Sequence, residues 1–149
     1  VFSNIEIDLE VTIGEKKASL VRGRLPRIDG ASVLIYQLFY NLINNSLKFA
    51  RVGVPPVIEV VAKVLQEEGY AEITLTDNGI GFEQEHTDRI FDTFARLHAK
   101  DKYEGTGLGL ALCRKIVDRH QGSIIARGEK NKGAAFVIRL PLVQHRKSL

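Results

Sequence analysis

Cysteine occurs once in the 149 residues, at Cys113. A lone cysteine excludes an internal disulfide framework, fits a reducing compartment and cannot hold a metal by itself. No run approaches the roughly 18 apolar residues that a membrane-spanning helix requires, and the first residues lack the basic-then-apolar order of a secretory signal. Charge of one sign is also scarce. Lysine and arginine number 21 against 18 aspartates and glutamates, a net charge of +3. The basic residues are scattered rather than massed, so they read as solvated surface and not as a nucleic-acid face. The four histidines, His86, His98, His120 and His145, stand too far apart to suggest a zinc site. The G-x-x-x-x-G-K-[ST] phosphate loop is missing altogether. A dinucleotide fold fails too, because Leu110 occupies the place of the last glycine in G-x-G-x-x-G and "HAKDKYE" precedes that motif where a strand is needed.

The remaining composition, 44% hydrophobic and 26% charged, is that of one ordinary globular domain with its own core. Phe2, Ile5, Leu9 and Ile13 recur at helical spacing from the first residues with no capping residue ahead of them. This predicts a domain cut from a longer chain, its first helix continuing upstream. "ASLVRG" reads as a short strand and Pro26 as a turn. A long helix follows over about residues 31–50. At ~100° per residue, Ile35, Leu38, Phe39, Leu42, Ile43 and Leu47 fill its core arc. Gln37, Asn41, Asn44, Asn45 and Lys48 gather opposite, with Asn41, Asn45 and Lys48 at i, i+4 and i+7. Asparagine is a poor helix former, and an ordinary solvent face would carry Glu and Lys pairs instead. Neutral amide oxygens suit a hard cation such as Mg²⁺, and an ammonium beside them suits phosphate.

Two strands come next. In "VIEVVAKVLQ" the residues Ile58, Val60, Ala62 and Val64 share a face, and "EEGY" turns the chain into "AEITLTDNGIGF". There Ile73 and Leu75 point inward, and Asp77 has the same parity. Burying a carboxylate costs several kcal/mol unless an internal donor or a ligand satisfies it, and the sequence offers no evident protein partner. An exocyclic amine such as that of adenine would serve, while Gly79 and Gly81 make room for a ring. An Asp-Asn-Gly hairpin turn is the competing reading, but it leaves the second glycine unexplained.

"DKYEGTGLGLALCRKI" places Gly105, Gly107 and Gly109 before another apolar helix. Such a stretch is either a flexible loop or an anion cradle with free N–H groups. In that helix Leu108, Leu110, Leu112, Cys113, Ile116 and Val117 share the apolar arc, and Arg114, Lys115, Asp118 and Arg119 share the other. Cys113 reads as a packed small hydrophobe. His120 lies in the last turn, suited to the helix dipole, with Gly122 as the C-terminal cap. "SIIARG" and "AAFVIRL" complete a sheet, and residues 142–149 read as a mobile basic tail.

"QLFYNLINNSLKFA", "DNGIGF", "IFDTFARLH", "GTGLGLALCRKIVDRHQG" and "KGAAF" occur in the order and approximate spacing of one family. Together they resemble the ATP-binding catalytic domain of sensor histidine kinases over nearly the whole chain. The resemblance implies a two-layer α/β sandwich, a mixed and mostly antiparallel sheet covered on one face by three helices, with ATP beneath a lid. It implies that Asn45 ligates Mg²⁺, that Asn41 sits one turn before it, that Lys48 reaches a phosphate and that Phe49 packs on the nucleotide. Asp77 resembles the adenine-reading acid, with Gly79 and Gly81 shaping the base pocket. Phe91 and Phe94 resemble the motif anchoring a lid over about residues 95–104, in which Arg96 meets phosphate charge. Gly105, Gly107 and Gly109, with Thr106, Leu108 and Leu110 among them, would close over the triphosphate.

Topoisomerase, mismatch-repair and heat-shock chaperone ATPases resemble the same motifs but keep a water-activating glutamate where this chain has Asn41. An amide takes no proton from water, which favours kinase over ATPase. Ser46, where the kinase pattern usually has alanine, reads as a minor change. The resemblance therefore implies a cytoplasmic domain that uses Mg-ATP to phosphorylate a histidine on a separate dimerisation domain of its parent. A response regulator would be an indirect partner, and neither nucleic acid nor membrane a direct one. A non-transferring nucleotide or interaction module is the alternative, and a nucleic-acid-binding domain a third reading.

Overall fold

The computed structural model describes residues 1–82, 91 and 108–144. The apolar spacing at the N-terminus yields helix in two segments, α1 (Phe2–Asp8) and α2 (Glu10–Lys16). Leu9 between them takes φ −102° and ψ 9°. The hydrogen-bond ladder nevertheless runs on, with Leu9 N–H donating to Ile5 and Ile13 N–H donating to Leu9, both at 2.9 Å. The expected helix is thus one rod with a break. Phe2, Ile5 and Leu9 are buried, and the Phe2 ring meets Phe39 at 4.9 Å between centroids. Lys17, at φ 53°, turns the chain into β1 (Ser19–Arg22).

The long helix α3 spans Ser32–Lys48, slightly inside the expected bounds. Its predicted core arc is buried without exception: Ile35, Leu38, Phe39, Leu42, Ile43 and Leu47. β2 (Val57–Leu65), β3 (Tyr70–Asp77), β4 (Ser123–Glu129) and β5 (Gly133–Pro141) complete a five-stranded sheet in the order β1-β2-β3-β5-β4. The β1–β2 pair is parallel, and the other neighbours are antiparallel. One face, carrying Ile58, Val60, Ile73, Leu75, Ile124, Ala126, Phe136, Ile138 and Leu140, forms the core with the helices, and Ala71 is buried on the same face. The opposite face is open, with Val61 44% and Ile125 49% exposed. Alternation of this kind is what a sheet covered on one side dictates. Val64 belongs by parity to the inner face but lies at the sheet margin, still exposed.

The other helix of the core layer, α4 (Leu108–Arg119), buries Ala111, Cys113, Ile116 and Val117. Leu112 departs from its expected arc and is 39% exposed, outside the core. The helix ends in a Schellman motif. Gln121 N–H donates to Asp118 at 3.0 Å, and Gly122 N–H donates to Val117 at 2.9 Å. The left-handed residue is Gln121, at φ 62°, and not the expected Gly122. Gly122 is required for another reason: a Cβ there would stand 2.2 Å from the Arg139 carbonyl oxygen. His120 is buried. Its Nδ1 bonds the Ile116 carbonyl at 2.8 Å, the role expected at a helix C-terminus, and its Nε2 accepts from the Ala31 N–H at 3.1 Å. It thereby ties the end of α4 to the start of α3. The segment expected as a tail begins with hydrogen-bonded residues. Leu142 N–H donates to Gly69, its carbonyl accepts from Asp29, and Gln144 donates to both Asp29 and His120. Residues 145–149 lie outside the described residues.

Candidate functional site

Asp77 ends β3 on the core side, opposite Ile58 of β2 and Ala134 of β5. The partner that the sequence did not reveal is present threefold. Oδ1 accepts from the Gly79 N–H at 2.9 Å and from the Ala134 N–H at 3.2 Å. Oδ2 accepts from the Ser46 hydroxyl of α3 at 2.7 Å. Burial pushes the acid's pKa above the usual carboxylate value, and the bonds from Gly79, Ser46 and Ala134 pull against that without cancelling it. A carboxylate has about four acceptor positions, so three internal donors leave one, on Oδ2.

Ser46 stands one residue past Asn45, so the amide stripe of α3 passes beside the acid. Asn41, Asn44, Asn45, Lys48 and Phe49 are all half-buried. Among the described residues, no hydrogen bond or ion pair engages the side chains of Asn41, Asn45 or Lys48. A half-buried amide oxygen left over in this way fits a hard cation, so Asn45 is chemically suited to Mg²⁺. Phe49 ends α3, and its carbonyl accepts from the Ile80 N–H at 2.9 Å, which fastens the segment after β3 to the helix end.

The two glycines of "DNGIGF" serve the backbone. A Cβ on Gly79 would lie 2.6 Å from the Phe49 carbonyl oxygen. At Gly81, with φ 64°, it would lie 2.2 Å from the Glu129 carbonyl oxygen and 2.6 Å from that of Gly133. The open side expected to admit a ring is occupied by protein backbone at both positions, and the glycines let the end of β3 dock on α3 and on the β4–β5 turn. Asn78 braces the same corner: its Oδ1 accepts from the Val57 N–H at 2.8 Å and its amide donates to Pro55 at 3.2 Å. Arg51 Nε donates to the Asn78 carbonyl at 2.8 Å.

Asn78 and Arg51 escaped the sequence reading, and Ser46, expected to be a minor change, is instead a donor to Asp77 at 2.7 Å. Ser46 did leave a signal, a hydroxyl on the apolar arc of a helix that must find a partner when buried. Phe91 is buried, edge-on to Phe136 at 6.3 Å, with the Arg114 guanidinium 5.5 Å above its ring. Phe94, Arg96, Gly105, Thr106, Gly107 and the expected lid lie outside the described residues, as do the side-chain environments of Leu108 and Gly109. Leu110 is half-buried against the core.

Residues 30–144 match the histidine kinase-, DNA gyrase B-, and HSP90-like ATPases, and the chain belongs to that family. It is 39% identical over 135 residues to cyanobacterial phytochrome A of Nostoc sp., an alignment covering 91% of this chain and 17% of the phytochrome. To the sensor histidine kinase RcsC of Escherichia coli it is 31% identical over 117 residues, 77% of this chain and 12% of that protein. The chain therefore spans less than a fifth of these relatives. Among solved structures, the mycobacterial sensor histidine kinase MprB matches with a TM-score of 0.77 at 23% identity, covering 95% of this chain and 93% of that one. Full-length ShkA in complex with AMPPNP matches with a TM-score of 0.79 at 23% identity, over 99% of this chain and 30% of that one. RcsC and MprB are sensor histidine kinases, and the fold is that of the catalytic domain of the histidine kinase ThkA, which matches with a TM-score of 0.77 at 23% identity. Among the described residues no helix is long and apolar enough to cross a membrane.

Proposed function

We propose that this domain binds Mg-ATP and donates its γ-phosphoryl group to a histidine on a separate dimerisation domain of its parent protein, on the cytoplasmic side, with a response regulator receiving the group afterwards. The observation that carries the reading is the juxtaposition on α3: a stripe of amides and one ammonium without partners among the described residues, passing beside an inward acid that keeps one acceptor position. Asp77 takes the amine of the base there. Asn45 holds the metal, which when bound draws charge off the phosphates. Lys48 supplies a cation at the same end of the helix, and Arg96 with the glycines Gly105, Gly107 and Gly109 supplies charge and N–H donors to the phosphates.

Asn41 decides what becomes of the bound nucleotide. Its amide cannot take a proton from water, so the site positions and polarises the terminal phosphate without activating a hydrolytic attack. The nucleophile is an imidazole nitrogen brought in line by the partner domain. A P–N bond forms as the bridging P–O bond breaks, ADP leaves, and the imidazole loses its proton. Among the described residues the one histidine, His120, has both ring nitrogens engaged, with the Ile116 carbonyl and the Ala31 N–H, and offers no free nucleophile.

The test uses ATP labelled on the γ-phosphate. Alone with Mg²⁺ the domain turns ATP over slowly and stays unlabelled; with a matching histidine-bearing domain added, that partner acquires an acid-labile, base-stable label. A gain in hydrolysis in Asn41→Glu supports the assignment. Rapid turnover by the isolated domain, undiminished in Asn41→Ala, or a docked partner that stays unlabelled, overturns it.

A further inference from the structure

Ser46 is a hydroxyl on the buried arc of α3, 3% exposed, among Leu42, Ile43 and Leu47. A serine in such a place needs a partner, and it has a specific one, Asp77 Oδ2 at 2.7 Å. The two backbone donors, Gly79 and Ala134, both lie on Oδ1. They fix one end of the carboxylate and leave the other to Ser46. We infer that Ser46 is a specificity-determining positioning residue, whose hydroxyl fixes the plane of the Asp77 carboxylate and leaves on Oδ2 a single acceptor position for an amino group of the nucleobase. The inference rests on the proposal that Asp77 reads the base.

A rigid acceptor discriminates between bases better than a loose one. With both oxygens pinned, the acid cannot rotate to present a different edge, and any base with a carbonyl at the amine's position brings one acceptor against another. Ser46 has a second effect of the same sign. Its donated bond favours the ionised acid, which is the form that accepts. The charged groups near Asp77 in the chain and along its strand partners include Lys48 on α3, Arg51 after it, Glu59 on β2, and Glu129, Lys130 and Lys132 at the β4–β5 turn, with Lys63, Glu72, Arg127 and Arg139 farther along the sheet. Arg51 is engaged with Asn78, Glu129 pairs with Lys132 at 3.0 Å, and Glu59 faces the open side of the sheet. Among the described residues no charged side chain enters the acid's balance, so the hydroxyl is the only side-chain donor that tunes it.

The experiment is a binding cycle between the protein and the amine of the ligand. The 149-residue chain and its Ser46→Ala variant are each titrated with Mg-ATP and with Mg-purine riboside triphosphate, which lacks the exocyclic amine. The wild type should prefer ATP by about 10- to 150-fold, the range for a hydrogen bond to a charged acceptor. In Ser46→Ala the preference should shrink to a few-fold, through weaker ATP binding and unchanged binding of the purine analogue. The loss of ATP affinity on acidification should begin at higher pH in Ser46→Ala, because the acid has lost a donor that held its pKa down. Where Ser46→Ala does not fold, the isosteric pair Ser46→Thr and Ser46→Val replaces it, the first keeping the preference and the second losing it. Equal weakening of both ligands, or an undiminished preference in Ser46→Ala or Ser46→Val, overturns the inference. Asp77→Asn in the same titration separates the two levels. If it leaves ATP binding unchanged, base reading by Asp77 is wrong; if it abolishes the preference while Ser46→Ala keeps it, only the role of Ser46 falls.

Discussion

Changing Asp77 to Asn should exchange the base preference of the site while sparing the fold, and the reason lies in the hydrogen-bond directions. Asparagine is isosteric with aspartate. Its Oδ1 can accept from the Gly79 and Ala134 N–H groups as the carboxylate does, at the 2.9 and 3.2 Å now seen. Its Nδ2 then faces the Ser46 oxygen, and the hydroxyl, now 2.7 Å from Oδ2, can turn its hydrogen away and accept. Each buried oxygen and nitrogen of the pair keeps a hydrogen-bond partner.

Stability at neutral pH should hold or rise. The folded-state pKa of Asp77 is raised, so the unfolded chain gives up this proton first as pH rises. Its contribution is most favourable below the ordinary carboxylate range and diminishes as pH rises through the raised value; asparagine removes that slope. Binding changes in the opposite sense. The amine of ATP loses a charged acceptor worth about 1.5–3 kcal/mol, roughly 10- to 150-fold in Kd, and meets an N–H instead. Inosine triphosphate, with a carbonyl at that position, should gain. Calorimetric titration with both nucleotides, beside urea melts at pH 5 and pH 7.5, reads every part of this. A folded variant that binds ATP as the wild type does would refute the base-reading role, and a collapsed melt would refute the directional argument.

His120→Ala should cost about 2–4 kcal/mol in urea unfolding, from the orphaned Ala31 N–H and the emptied ring site, with little effect on nucleotide affinity because the clamp lies at the far end of α3. An unchanged midpoint would show that the clamp is ornamental. Gly133→Ala should lose at least about 2 kcal/mol, since the residue sits at φ 130° and a Cβ would come 2.0 Å from the Asp77 carbonyl oxygen. The check is a thermal melt alongside the ATP titration, which should weaken with it. Burial pushes the Cys113 thiol up to about 12, so alkylation at pH 7.5 should proceed only at the rate of unfolding and accelerate in urea; modification within minutes under native conditions would contradict the packed role.

Much of this fold was legible because burial obeys period. The two faces of α3, the inward parity of Ile73, Leu75 and Asp77, and the packed position of Cys113 all follow from spacing alone. What escaped the letters depends on distance through space. The partners of Asp77 come from residues 31 and 57 positions away, and no periodicity links Ser46 or Ala134 to it. The purpose of Gly79, Gly81 and Gly122 escaped for the same reason: a glycine announces close approach but not to what. Leu112 shows the limit of the arc argument, since a helical wheel assigns a side without knowing where the neighbouring layer stops. The open sheet face was likewise foreseeable only in kind.

The three donors on Asp77 also set a time order. Gly79 is local, but Ser46 arrives only when α3 has docked on β3, and Ala134 only when the β4–β5 hairpin has paired with that strand. Such non-local pairing is slow to form, because chain entropy must be given up before contacts repay it. A partly folded chain therefore displays Asp77 as an ordinary solvated carboxylate with no fixed geometry. If Asp77 reads the base as proposed, only the completed sheet can bind nucleotide at this point, so ATP added to a refolding reaction should slow unfolding and leave the early folding phases untouched, acting as a latch on the last step of assembly.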